Sequence, residues 1–173
     1  MRFLVLASSA LLFLAQPALG QSLPGGAGSL SESYQDWQVR CVSTRQGPRC
    51  AMSQMQVDPK TRKRIMTIEL RADGGKATGA LIAPFGLALA RGITLKIDDK
   101  GGETSLVFST CVPAGCVVPL DLDAGLTKSL ASGEVLTVVV TANDTQQPLS
   151  IAISLKGFAS AWARLGELSE QAR

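Results

Sequence analysis

Apolar residues recur at every second position along much of this chain. Trp37, Val39 and Cys41 fall on one side of such a run, with Gln38 and Arg40 on the other. Met66, Ile68 and Leu70 alternate with Thr67, Glu69 and Arg71, and Ile93, Leu95 and Ile97 with Thr94, Lys96 and Asp98. Leu136, Val138 and Val140 sit in a β-branched run, and Leu149, Ile151, Ile153 and Leu155 alternate with Ser150, Ala152, Ser154 and Lys156. A two-residue period is that of a strand with one buried face and one wet face. Turn signals separate the runs: Gln46-Gly47-Pro48, Asp58-Pro59, Asp73-Gly74-Gly75, Asp99-Lys100-Gly101-Gly102, Pro113-Ala114-Gly115 and Asn143-Asp144. About seven to nine short strands at this spacing predict an all-β, antiparallel sandwich. The regular crossover helices of a parallel α/β fold are missing. Two short helical pieces are expected. Asp123 caps one that runs through Leu130 and stops before Gly133. Phe158, Trp162, Leu165 and Leu168 form the stripe of the other, weakened by Gly166.

The ends of the chain read differently. Residues 1–20 have the pattern of a secretory signal peptide: basic Arg2, an apolar run from Phe3 to Leu14, then Pro17 and the small residues Ala18 and Gly20 before Gln21. Residues 21–32, rich in Gly and Ser, read as a flexible leader. The sandwich is expected over residues 33–158, followed by a helical C-terminal tail over 159–173. Such a protein is expected in the periplasm or outside the cell.

Four cysteines fit that compartment. They allow three pairings. Cys41–Cys50 and Cys111–Cys116 are favoured, because each closes a short loop containing Gly and Pro. The rival is a bridge between sheets, such as Cys41–Cys111. An antibody-type domain places its core Trp between the bridging cysteines; here Trp37 precedes Cys41 and Trp162 follows Cys116. Neither close spacing is the C-x-x-C of a thioredoxin-like centre.

The chain has no histidine. That removes Ser-His-Asp and Cys-His catalysis and most zinc or copper sites. Ser154 and Lys156 share a strand face, but two solvent-facing residues are the simpler reading. Asp98, Asp99 and Glu103 lack the alternating oxygen ligands of a calcium loop and read as a hairpin tip. No phosphate-cradling glycine loop occurs. No enzyme, metal or cofactor is expected from these residues.

Net charge is only +3, too weak to imply nucleic-acid binding. Its distribution is more informative. Between Arg40 and Lys76 lie nine basic and three acidic residues, whereas the remainder after residue 20 is net acidic. Lys60, Arg62, Lys63 and Arg64, beside the Asp58-Pro59 turn, form the candidate surface for an anionic partner, lipid or glycan. The competing reading is a solvated turn whose charge protects a strand edge. The Phe158–Leu168 stripe is expected to pack on the sandwich rather than dock a partner. Pro84-Phe85-Gly86-Leu87-Ala88-Leu89 fits neither period and is expected to cross between sheets in the core.

Several motifs together carry a resemblance. Tyr34-Gln35-Asp36-Trp37-Gln38-Val39-Arg40-Cys41, Arg49-Cys50-Ala51-Met52-Ser53-Gln54, Pro84-Phe85-Gly86-Leu87, the Cys111–Leu120 stretch and Ser154-Leu155-Lys156-Gly157-Phe158 occur in this order. The chain resembles the invasion-associated locus B proteins, small secreted proteins of Gram-negative bacteria, from about Ser29 to Phe158. The resemblance implies an immunoglobulin-like β-sandwich in the periplasm or outer envelope, and an association with host-cell entry in some pathogens. It brings no catalytic site. The expected function is an exported, non-enzymatic binding protein of the bacterial envelope, acting on an unknown envelope or host protein. The alternative is a periplasmic chaperone or envelope-maintenance accessory factor that uses exposed strand edges.

Overall fold

The computed structural model describes residues 23–98 and 102–170. The expected signal peptide lies outside them. Eleven strands and two helices occupy the described chain: β1 (Ser29–Tyr34), β2 (Trp37–Thr44), β3 (Gly47–Val57), β4 (Arg64–Asp73), β5 (Lys76–Ala83), β6 (Ile93–Ile97), β7 (Glu103–Leu106), β8 (Thr110–Val112), β9 (Gly115–Leu122), α1 (Ala124–Ser132), β10 (Val135–Thr141), β11 (Pro148–Ser154) and α2 (Phe158–Glu170). They form a seven-stranded sheet, ordered β1-β2-β3-β4-β5-β9-β8, and a four-stranded sheet, ordered β11-β10-β6-β7. Every pairing is antiparallel. The fold is an immunoglobulin-like β-sandwich.

The alternation in the sequence decides which faces meet. Val39, Met52, Ile68, Leu70, Leu81 and Val118 line the inner face of the large sheet, and Leu95, Leu136, Val138 and Ile153 line the small one; all are buried. The small sheet covers part of the large one. The helices cover the rest, α2 against β1 to β4 and α1 against β5 and β9. α1 begins where expected, the Asp123 carboxylate accepting from the Leu126 N–H at 2.8 Å, and Gly133 ends it.

Two expected boundaries are corrected. Residues 29–32 are not a flexible leader but the first part of β1, which pairs with β2 from Ser29↔Val42 to Tyr34↔Trp37. Leu23, also in the expected leader, is buried. The sequence carries little sign of this strand because β1 is a sheet edge: its ladder satisfies the backbone, so Ser-Leu-Ser-Glu-Ser-Tyr needs little apolar character. The domain does not end at residue 158: the helix over 159–170 packs on the sandwich, as its apolar stripe predicts. Phe158, Ala161, Leu165 and Leu168 of α2 are fully buried against the large sheet, so the helix is part of the core.

α2 is seated by three contacts. The Phe158 ring meets the Trp37 indole edge-to-face, with centroids 5.0 Å apart. Gly157 turns the chain into the helix at φ 84°, and a Cβ there would lie 2.0 Å from the Tyr34 carbonyl oxygen. Arg164 donates through Nε and Nη2 to the two Glu32 carboxylate oxygens, at 2.9 and 3.0 Å.

Two predictions follow from this seating. Gly157→Ala should cost more than about 1 kcal/mol, because both φ and the Tyr34 carbonyl exclude a methyl group. Gly166→Ala, on the same helix with open space at its Cβ, should add about 0.5–1 kcal/mol. Urea unfolding of both variants checks the pair; equal effects would refute the geometry.

The second concerns pH. The Arg164 hydrogen bonds, with help from the Tyr34 hydroxyl, hold the Glu32 carboxyl below the ordinary glutamate range. A carboxyl depressed in the folded state stabilises fully above its unfolded pKa, about 4.3. That contribution is lost as pH falls through the lower folded value. Glu32→Gln should therefore cost about 1 kcal/mol at neutral pH and nothing in acid below both values. Unfolding curves of parent and variant across that range should converge.

Candidate functional site

The basic turn is built by Asp58. A register shift at Gln56/Val57 ends β3. The Asp58 carboxylate then accepts from the Lys60 and Thr61 N–H groups at 2.9 and 2.6 Å, and its carbonyl accepts from the Arg62 N–H at 2.9 Å. The Asp58 N–H donates to the Lys63 carbonyl at 2.8 Å, closing the turn. Arg62 takes the left-handed conformation this closure needs, φ 57°. The Thr61 N–H and hydroxyl, then the Lys60 N–H, hold the Asp58 carboxyl below the usual carboxylate range. A short Asx-type turn with Pro59 at its corner thus presents four cations outward.

All four are exposed, and Met66, Ile68 and Leu70 anchor β4 in the core behind them. Among the described residues the side chains of Lys60, Arg62 and Lys63 have no hydrogen-bond or ion-pair partner. Arg64 differs from its neighbours: its guanidinium donates to the Ala114 carbonyl, in the turn between β8 and β9. It joins two loops. Sequence reasoning grouped Arg64 with the other three because a linear charge run does not reveal a partner 50 residues away.

Folding also divides the basic segment between Arg40 and Lys76. The Arg45 and Lys76 turns lie at the opposite ends of β3 and β4 from Lys60–Arg64. Arg40 and Arg71 are exposed on strands between the two ends. Antiparallel strands send successive turns to opposite ends, so the local excess of charge does not become one face.

The cysteines form Cys41–Cys50 and Cys111–Cys116, with Cα atoms 4.0 and 3.9 Å apart. Each bridge joins directly opposed residues, one across β2 and β3 and the other across β8 and β9. Both lie within the large sheet, and the inter-sheet Cys41–Cys111 bridge does not form. No free cysteine remains among the described residues.

Other side chains singled out in the sequence have structural partners. The Ser154 hydroxyl accepts from the Lys156 N–H at 3.2 Å. The Ser154 carbonyl accepts from the Trp37 indole and from Gln54. The Asp98 carboxylate accepts from the Glu134 and Val135 N–H groups, tying the end of β6 to the start of β10; Asp99 lies outside the described residues. A cavity between the sheets, lined by Ile68, Leu95, Leu130 and Leu136 among others, has a volume of about 10 Å³. That is room for no organic ligand.

The crossover from β5 to β6 corrects another expectation. It passes between the sheets, but at their end rather than through the core. Leu87 is buried and bridges to Ala142, while Phe85 and Leu89 are exposed. Gly86, at φ 84°, turns the chain outward. Arg91, also exposed here, drew no notice as a lone cation in an apolar stretch.

The sequence model described as Invasion associated locus B (IalB) protein matches residues 37–166. The chain belongs to the invasion-associated locus B family. It is 47% identical over 154 residues to an Invasion protein B homolog of Brucella abortus, covering 88% of each chain. It is 33% identical over 175 residues to Invasion protein B of Bartonella bacilliformis, covering 97% of this chain and 94% of that one. A crystal structure of invasion associated protein b from Bartonella henselae superposes with a TM-score of 0.77 at 26% identity. It covers 82% of this chain and 98% of that one. The family match thus extends from Trp37 in β2 to Gly166 in α2, which agrees with a helix built into the core.

The bridges carry a prediction of their own. Protein recovered from an oxidising compartment should weigh four hydrogens less than its reduced form, with peptides joined as Cys41–Cys50 and Cys111–Cys116. Replacing Cys111 and Cys116 together by Ser should cost about 2–3 kcal/mol without changing the sheet content measured by circular dichroism.

Proposed function

We propose that this member of the family is an exported, non-enzymatic binding protein of the bacterial envelope, and that its basic turn meets an anionic partner. The observation that carries the reading is the set of three exposed cations, Lys60, Arg62 and Lys63, without partners among the described residues and held outward by the hydrogen-bonded Asp58 turn. Export is supported by two disulfides and by the apolar N-terminal run of the sequence. No helix among the described residues is long and apolar enough to cross a membrane. The relatives' names associate them with invasion, and a role in host contact comes to this chain through them alone.

A second reading, as a chaperone or envelope-maintenance factor, draws on β11. It ends the small sheet, and Leu149 on it is exposed. A strand edge of this kind can accept an extended peptide. Clients that compete with an added β-strand peptide, rather than with salt, would favour it.

The charge reading is tested with the mature protein and the triple variant Lys60→Ser, Arg62→Ser, Lys63→Ser. Arg64 is retained because it joins two loops. Exposed, unpaired charges contribute little to folding, so the variant should melt within about 1 kcal/mol of the parent. Retention on heparin or on anionic vesicles should fall severalfold at low salt and vanish for both proteins at high salt. Equal retention of variant and parent would overturn the role of this turn. Cell fractionation tests export independently: a chain beginning near Gln21 in the periplasm or medium is expected, and a cytoplasmic chain with free thiols would refute it.

A further inference from the structure

The β1–β2 turn 35–36 and five further connections leave the sandwich at one end. The crossover 84–92 and the link 107–109 pass between the sheets there. The basic turn 58–63, the disulfide-closed turn 113–114 and the turn 143–147 join strands of one sheet. Hydrogen bonds join some of them to one another and others to neighbouring strands. Arg64 binds the Ala114 carbonyl. The Asn143 N–H donates to Gly86 at 2.8 Å, the Ala88 N–H to Thr141 at 2.9 Å, and the Ser109 N–H to Val117 at 2.9 Å.

This end carries the two most exposed large apolar side chains among the described residues, Val107 at 76% and Phe85 at 61%. Leu89, on the same crossover as Phe85, is exposed as well. The three side chains come from two connections, the crossover and the link that carries Val107. The basic turn adds Lys60, Arg62 and Lys63 and the crossover adds Arg91, all exposed and without a partner among the described residues. The acidic residues at this end are Asp36, Asp58 and Asp144. Asp58 and Asp144 accept N–H bonds within their own turns, at 2.9 and 2.6 Å for Asp58 and 2.7 Å for Asp144.

We propose that this end of the sandwich docks on a bilayer surface containing anionic phospholipid, with Phe85, Leu89 and Val107 entering the headgroup layer while Lys60, Arg62, Lys63 and Arg91 meet the phosphates. The inference rests on the anionic-partner reading above and narrows that partner to lipid. Charge complementarity selects an anionic surface. The scattered apolar tips select a fluid one, because a bilayer can close around separate side chains whereas a rigid protein partner needs a continuous patch. A soluble polyanion would satisfy the cations and leave Phe85 and Val107 in water.

The experiment uses mature, disulfide-bonded protein and vesicles of phosphatidylcholine with phosphatidylglycerol, beside heparin as a soluble polyanion. The Phe85→Ser, Val107→Ser double variant should lose roughly tenfold or more in vesicle affinity and keep its heparin retention. The Lys60→Ser, Arg62→Ser, Lys63→Ser variant should lose both. In a Phe85→Trp variant, emission beyond that of the parent should be quenched by brominated lipid. Both multiple variants change exposed positions, and an unchanged melting temperature confirms that they are folded.

The arms separate this proposal from the broader one. If the double variant binds vesicles as the parent does while the cation variant fails, insertion is overturned and the basic-turn reading stands. If the parent binds heparin but not the vesicles, the partner is a glycan-like polyanion and the lipid proposal is overturned. If the parent binds neither, both readings fall. Absence of quenching in Phe85→Trp on bound vesicles also overturns insertion.

Discussion

The Ser154 carbonyl is where the two sheets are joined. It stands at the end of β11, an edge strand, and would leave a half-buried acceptor unpaired if nothing reached it. The Trp37 indole N–H reaches it at 3.0 Å and the Gln54 side-chain amide at 2.8 Å, both from the large sheet. Gln54 is buried, and its own carbonyl oxygen accepts from Gln56. A buried polar side chain so placed costs little because each end is satisfied, whereas removing either donor's partner would expose the desolvation penalty of about 1–3 kcal/mol. The same indole packs edge-to-face on Phe158, which stacks in turn near Trp162 with centroids 6.3 Å apart. One carbonyl thus fixes sheet to sheet and, through Trp37, both to the C-terminal helix.

That junction explains an asymmetry of the molecule. Two helices and the Glu32–Arg164 pair close part of the large sheet, and these elements have little apolar surface to spare. At the end where β3, β5, β7 and β10 finish, closure comes instead from turns that bond chiefly to one another and to strand ends. Turns satisfy their own backbone through Asp58, Asn143 and Gly86, so their side chains are free to face outward. Turns that bond among themselves and leave their side chains outward are the arrangement expected of a scaffold that presents a surface. The apolar cavity between the sheets beside Ile68 and Leu136 holds only about 10 Å³.

Much of this architecture is legible in the sequence because it rests on local rules. Period-two alternation marked β2, β4, β6 and β10, the Asp123 cap marked α1, and short Gly/Pro loops marked the favoured cysteine pairs. Elements that depend on distant partners were not legible. β1 has few apolar residues and exists because β2 offers a ladder. The depth of α2 depends on Trp37, more than a hundred residues earlier. At the candidate surface the cation run and its turn were readable from Asp58-Pro59 onward. The cross-loop role of Arg64 was not, and neither was the exposure of Phe85. An apolar residue beside Pro and Gly carries no local sign of which way it points.

The disulfides bear on the surface more than on the core. Cys41–Cys50 ties β2 to β3 near the opposite end, with Cys41 in the core. Cys111–Cys116 closes the short β8–β9 hairpin, whose turn supplies the carbonyl that holds Arg64. β8 has three residues and is an edge, so on its own it would fray. Stapling it keeps Ala114 in place, and Arg64 then fixes where the basic turn sits relative to the hairpin. Formation of this bridge therefore bears on the arrangement of this surface as well as on stability.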